Sequence, residues 1–164
     1  MMLRYLVIKI TIIKIIFPII ISYFLDYPIM NNNLFSPNEK EINNVHALRP
    51  YQQYNYFVGK IADWEQVWSL GDGENLVTAW NDEKCLFLPL WPAKAYVELC
   101  LTGEWANFTP MLFTLEHLMT EILPDMHEAN IKVALMMQPD GKKTLVYDAA
   151  ALLADLAEEC QQYE

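Results

Sequence analysis

Between Leu86 and Tyr96 the chain reads Leu-Phe-Leu-Pro-Leu-Trp-Pro-Ala-Lys-Ala-Tyr, an apolar strand that breaks at Pro92 and restarts as a helix. Proline has no N–H to give a strand ladder, but its fixed φ suits the first turn of a helix. It also forces the residue before it, Trp91, into an extended conformation. A β-to-α hinge near the middle of the chain is therefore built in. Cys85–Trp91 is apolar at alternate and intervening positions alike, so it is expected at the centre of a sheet with cover on each face.

The flanks read as an α+β chain. Ser36-Pro37-Asn38-Glu39 has the form of a capping box, with Ile42, Val45 and Leu48 at helical spacing until Pro50. Pro50 opens a second helix whose expected apolar stripe is Tyr51, Tyr54, Phe57, Val58 and Ile61, with Gln52, Gln53, Asn55 and Lys60 on the wet face. Val67–Leu70, Leu76–Trp80 and Cys85–Trp91, joined by an Asp72-Gly73 turn and an Asn81–Lys84 turn, read as an antiparallel meander. After the hinge, a helix over Ala93–Leu101 is expected to close at Gly103. A short strand at Met111–Phe113 leads to a helix capped by Thr114 and stopped by Pro124. Ile131–Met137 and Leu145–Tyr147 are strands around a Pro139–Lys142 turn, and Asp148 caps a last helix carrying Leu152, Leu153, Leu156, Cys160 and Tyr163. The expected fold is a single α+β domain, an antiparallel meander-based sheet with about five helices packed on it.

Residues 1–29 differ in kind from residues 30–164. Ten of the first 29 are Ile, and Leu3–Leu25 is long enough to span a membrane. Lys9 and Lys14 fall inside it, however, at roughly 2.5–3.5 kcal/mol for a central Lys. The uncharged run Ile15–Leu25 suits a signal-peptide core, yet no small-residue cleavage site succeeds it. Three readings stand: translation that begins at Met30, a single-pass inner-membrane anchor through residues 3–25, or a cleaved signal. The first makes the protein cytoplasmic, and membrane is a partner only if residues 1–29 are expressed. Residues 30–164 hold 8 Lys and Arg against 20 Asp and Glu, a net charge of −12. That balance repels phosphate backbones, so nucleic acid is not an expected partner, and a basic protein surface is. Cys85, Cys100 and Cys160 are widely spaced with no CxxC, fitting small buried residues in a reducing compartment.

Trp64, Trp68, Trp80, Trp91 and Trp105 fall within 42 residues. Trp68 and Trp80 lie in strands and are expected in the core. Trp64, Trp91 and Trp105 lie at element ends and, with Tyr96 and Lys94, form the candidate interaction surface, an aromatic rim. Lys94 could receive an anion with the helix N–H groups or pair with Glu98 one turn on, and the pair is the simpler reading. His117 and Glu121 share a helix face near Asp125, His127 and Glu128, but they read as a solvated face rather than a metal site. Asp63 with Glu65 is expected to be solvated, and Asp72, Glu74, Asp82 and Glu83 serve turns. No GxSxG elbow, HExxH, phosphate loop or dinucleotide fingerprint occurs, so no catalytic residue, metal ligand or cofactor is assigned.

Four segments carry a likeness: Tyr54-Asn55-Tyr56-Phe57-Val58-Gly59-Lys60-Ile61-Ala62-Asp63-Trp64-Glu65-Gln66-Val67-Trp68, the Pro89–Tyr96 hinge, Gly103-Glu104-Trp105 and the Leu152–Tyr163 helix. In order and spacing they resemble the bacterial domain-of-unknown-function family 2750 (DUF2750) over about residues 37–164. The family pattern often has His where this chain has Ala93. The resemblance implies a small cytosolic bacterial protein and brings no activity, cofactor or catalytic residue. The expected function is a non-enzymatic protein-binding module. A small enzyme with its site at the Trp91–Tyr96 hinge and a membrane-anchored accessory protein are the alternatives.

Overall fold

A computed structural model describes residues 34–73, 75–81, 84–139, 141 and 144–161. The 1–29 segment, the acidic turn residues Glu74, Asp82 and Glu83, the 140 and 142 positions of one expected turn, and Tyr163 lie outside the described residues. Among the described residues the chain forms a single-domain α+β fold with five helices and six strands in mixed sheets. The helices are α1 (Glu39–Ala47), α2 (Pro50–Trp64), α3 (Lys94–Cys100), α4 (residues 115–128) and α5 (Ala149–Cys160). The strands are β1 (Gln66–Gly71), β2 (Ala79–Trp80), β3 (Leu86–Leu90), β4 (Thr109–Thr114), β5 (Lys132–Leu135) and β6 (Leu145–Tyr147). No described helix is long and apolar enough to cross a membrane.

Several ends obey the sequence logic. Pro50 stands at the start of α2, Thr114 accepts from the His117 N–H, and Asp148 accepts from the Ala150 and Ala151 N–H groups. The first cap is shifted: Asn38, not Ser36, accepts from the Glu41 N–H and starts α1. Gly103 takes the left-handed φ of +58° expected after a helix, but it opens a 3-10 turn at Gly103–Trp105. On α2 the stripe is Phe57, Val58 and Ile61 over a half-buried Tyr54, whereas Tyr51 is exposed and Gln53 is buried. That exchange arises from α1, which folds back over the Gln53 side.

Pro124 does not stop α4. Its helix runs as an α segment (Leu115–His117), a π turn (Leu118–Ile122) and a second α segment (Leu123–Glu128). The Leu123 N–H reaches back five residues to the Leu118 carbonyl, and the widened turn accommodates the proline ring that an α-helix would exclude.

The meander is only partly realised. β2 pairs antiparallel with β3, but β3 pairs parallel with β5, and β5 antiparallel with β6, giving the order β2-β3-β5-β6. Among the described residues β1 pairs with this sheet only at the Trp68–Trp91 bridge, and it pairs along its other edge with β4. Pro89 supplies the reason. Trp68 and Trp91 exchange two backbone hydrogen bonds of 2.8 and 2.9 Å, and continuing that register would set Leu70 opposite Pro89. Pro89 has no N–H to offer, so the Leu70 carbonyl accepts from Val77 and the Pro89 carbonyl accepts the Ser69 hydroxyl at 2.7 Å. The Gly71–Leu76 bridge, with backbone bonds from Val77 to Leu70 and from Asp72 to Asn75, is what remains of the first hairpin among the described residues. β3 is still central, with Phe87, Leu88 and Leu90 buried on both faces. The connection from β3 to its parallel partner runs through α3, β4 and α4, as a crossover requires.

Candidate functional site

The site is built at the C-terminal end of β3. Trp91 bridges to β1, Pro92 and Ala93 bend, and α3 begins at Lys94. Trp91 is fully buried, and its indole N–H donates to the Met137 carbonyl at 2.9 Å. The Cys100 thiol donates to the same carbonyl at 3.2 Å. Met136 makes this convergence possible: it takes a left-handed φ of +54°, rare for a residue with a long side chain, while its N–H stays on the Leu90 carbonyl. The β5 exit is thereby fixed against the hinge.

Beside this anchor lies a cleft of about 70 Å³, lined by Cys100, Thr102 and Trp105 from the α3 side and by Met137, Gln138 and Pro139 from the β5 exit. That volume holds a few waters or one short side chain and falls well short of the roughly 300–1,000 Å³ of cofactor pockets. Thr102 and Glu104 are exposed on the turn that carries Trp105, and Glu98 is exposed on α3.

A polar junction adjoins the cleft. Tyr56 donates to Glu41 at 3.0 Å and its oxygen lies 3.0 Å from that of Tyr96. Lys60 sits 4.0 Å from Glu41 and over the rings of Phe35 and Tyr56. The Gln53 amide donates to the Val45 and His46 carbonyls, and the Gln138 amide reaches the His46 carbonyl at 3.4 Å, linking α1 to the cleft wall. On the other side of α2, Tyr54 donates to Asp155 and packs on the ring of Tyr147.

The electrostatics hold every strongly perturbed thiol and phenol neutral. Burial pushes the Cys100 thiol up to about 12. Burial raises Tyr96 to about 12 as well, with the Tyr56 hydrogen bond pulling the other way. Tyr54 and Tyr56 are raised further, by burial first and then by their hydrogen bonds to Asp155 and Tyr96 respectively. A thiolate nucleophile or phenolate base at neutral pH needs a shift in the opposite direction. The arrangement is suited to holding a surface in shape.

The expected aromatic rim is thus redistributed. Trp91, Tyr96 and Trp105 are 0, 1 and 6% exposed, so they are core and cleft wall where an open rim was expected. The apolar strand continues one residue past its ladder, the Pro92-Ala93 bend is buried, and Trp105 lies against the cleft, which draws all three inward. Trp64 is half-buried and stacks on Phe35. Lys94 is exposed and pairs with Glu98 at 3.1 Å. Trp68 is buried as expected, whereas Trp80 is only half-buried. His117 and Glu121 pair at 3.5 Å, and among the described residues no three His, Cys, Asp or Glu side chains converge as metal ligands. Sequence reasoning missed Gln53, Met137 and Gln138 as site residues. It also left Cys100 unassigned to any site, although Cys100 stands at i+4 from Tyr96 on one face of α3.

Comparison with known proteins agrees with the segments that carry the likeness. The model of the family described as protein of unknown function (DUF2750) matches residues 54–156. The chain belongs to the DUF2750 family. The matched DUF2750 region contains the hinge, the cleft and both tyrosines of the polar junction, but begins after α1. No curated protein and no solved structure matches the chain.

Proposed function

We propose that this DUF2750 domain is a non-enzymatic, acidic protein-binding module whose partner seats a short apolar side chain in the Trp105 cleft, flanked by basic residues that face Glu98 and Glu104. The observation that carries this reading is the cleft itself: small, apolar at Trp105, Met137 and Pro139, with the exposed Glu104 next to Trp105 in sequence and the exposed Glu98 two residues before Cys100, on a strongly acidic chain. A well-packed aromatic anchor in a small pocket is a common form of interaction hot spot, and charge near its rim steers a complementary partner. The neutral state of Cys100 and Tyr96 supports binding over chemistry at the hinge.

Affinity capture with the full chain tests it. Wild type is expected to retain a discrete partner at ~50 mM salt and release it as salt screens the charges. Thr102→Arg, which places bulk and positive charge at an exposed position of the mouth, and Glu98→Lys with Glu104→Lys are each expected to weaken the purified pair at least about tenfold by calorimetry, or ~1.4 kcal/mol. Equal affinity in all three proteins would refute the assignment of the cleft.

A further inference from the structure

Glu41 is held by groups that belong to another part of the chain. Its carboxylate accepts the Tyr56 hydroxyl at 3.0 Å, with the Tyr96 hydroxyl 3.0 Å behind that and the Lys60 ammonium 4.0 Å away. Tyr56, Lys60 and Tyr96 all lie inside the matched residues 54–156, on α2 and α3, whereas Glu41 lies outside them on α1. Their geometry is fixed without Glu41: Tyr96 is buried, Tyr56 packs edge-on against it at 6.4 Å, and Lys60 is steered by the Phe35 and Tyr56 rings. α1 is a lighter attachment. Val45 is its one fully buried residue, Ile42 and Leu48 are partly buried against the core, and His46 lies beside the Tyr96 ring at 5.7 Å. Beneath α1, Gln53 is 1% exposed with an Oε1 that has no protein hydrogen-bond partner. A stranded buried acceptor marks an imperfectly closed interface. Leu48 and Arg49, both extended, join α1 to α2 and form a two-residue hinge ahead of Pro50.

We propose that Tyr56, Tyr96 and Lys60 form a carboxylate-binding site, filled from within by Glu41, and that α1 is the strap an external carboxylate ligand displaces. A phenol O–H bonded to a carboxylate oxygen, with an ammonium charge 4.0 Å from the same oxygen, is what a carboxylate requires, and the charge-assisted phenol bond exceeds a neutral one. Although the chain is acidic overall, the Lys60 ammonium supplies a cation at this site. This site is separate from the Trp105 cleft and stands or falls without it.

The test is chemical rescue of the full chain. Glu41→Ala is expected to melt about 2–5 °C below wild type. Sodium acetate should restore that loss saturably, with a half-point of ~10–100 mM for one charged hydrogen-bonded contact. Sodium chloride and acetamide at equal concentration should not, and wild type should not respond. Adding Tyr56→Phe should abolish the rescue, and Lys60→Met should weaken it several-fold. Glu41→Ser, which also vacates the carboxylate position, carries the same test if the alanine variant is poorly folded. N-acetyl-glutamate amide run beside acetate distinguishes a protein side chain from a small acid as the better ligand. Recovery that is equal in chloride, equal in wild type, or unaffected by Tyr56→Phe would overturn the proposal.

Discussion

The hinge at Trp91 and the junction under α1 are both places where one segment is tied to another, and they are tied with different materials. At the hinge, a fully buried indole and a buried thiol share one carbonyl, and backbone bonds join Trp91 to Trp68 and Met136 to Leu90. Burial of an indole alone is worth roughly 4–6 kcal/mol at about 25 cal/mol per Å². Under α1, attachment rests on one fully buried side chain, Val45, on the partly buried Ile42 and Leu48, and on the His46 ring beside Tyr96. It rests further on partly exposed charged contacts from Glu41, and on amide bonds from Gln138 and from a Gln53 whose oxygen is stranded. Exposed ion pairs are worth about 0–1 kcal/mol. The body of the domain is therefore fixed where its cleft is, and loosely fastened at the helix that precedes the matched family region.

Substitutions at the hinge should break the molecule, and those at α1 should only loosen one end. Trp91→Ala is expected to cost about 3–5 kcal/mol of unfolding free energy, measured by urea titration, because it empties a core site and strands the Met137 carbonyl. A loss under 1 kcal/mol would mean that Trp91 is not the anchor. Gly71→Ala should cost about 1–3 kcal/mol by the same measurement. An added Cβ there would collide with the Met111 side chain and stand 2.7 Å from the Asn75 carbonyl oxygen. Gln53→Ala should cost less, about 1–2 kcal/mol, since it removes donors to two carbonyls but also a stranded acceptor.

The ionisation states give two further outcomes. Cys100, raised to about 12, should alkylate at pH 8 about 10³-fold more slowly than a free thiol, with unfolding restoring the normal rate. Asp148 is held below its usual 3.8 by hydrogen bonds from Lys132 and then from the α5 N–H groups. Its contribution is thus present above that value and lost as pH falls through the lower folded value. Lys132 is raised by Asp148, so its share is present below 10.5 and lost as pH rises past the folded value. Asp148→Asn should flatten the acid limb of a stability-versus-pH curve, and an unchanged limb would remove the pair from the account.

Much of the fold is legible in the sequence because its signals are local. Pro50, Thr114 and Asp148 start helices where their chemistry says, and Cys85–Trp91 is apolar at successive positions because both its faces are covered. The split of the meander is harder to read. It turns on one missing N–H at Pro89, and the partner along the other edge of β1 begins 38 residues after Gly71, at Thr109. Pro124 misleads for a related reason: a proline ends an α-helix but sits comfortably beyond a π turn. The cleft depends on parallel pairing of β3 with β5, which brings Met137 to Trp91 across 46 residues, and no spacing rule reports that. Tryptophans at element ends read as a rim because ends usually lie at the surface. Here the strand end and the Pro92-Ala93 bend are both buried, and Lys94 is where the helix reaches the surface.

Native-state hydrogen exchange measures the contrast most directly. The α1 amides of residues 42–47 are expected to exchange through a local opening, with protection several kcal/mol below that of the β3 and β5 amides at Leu88, Leu90 and Val133. Those strand amides should exchange only with global unfolding. Equal protection in α1 and in β3, with both tracking global stability in denaturant, would show that the first helix is integral to the core and would contradict the division drawn between the two attachments.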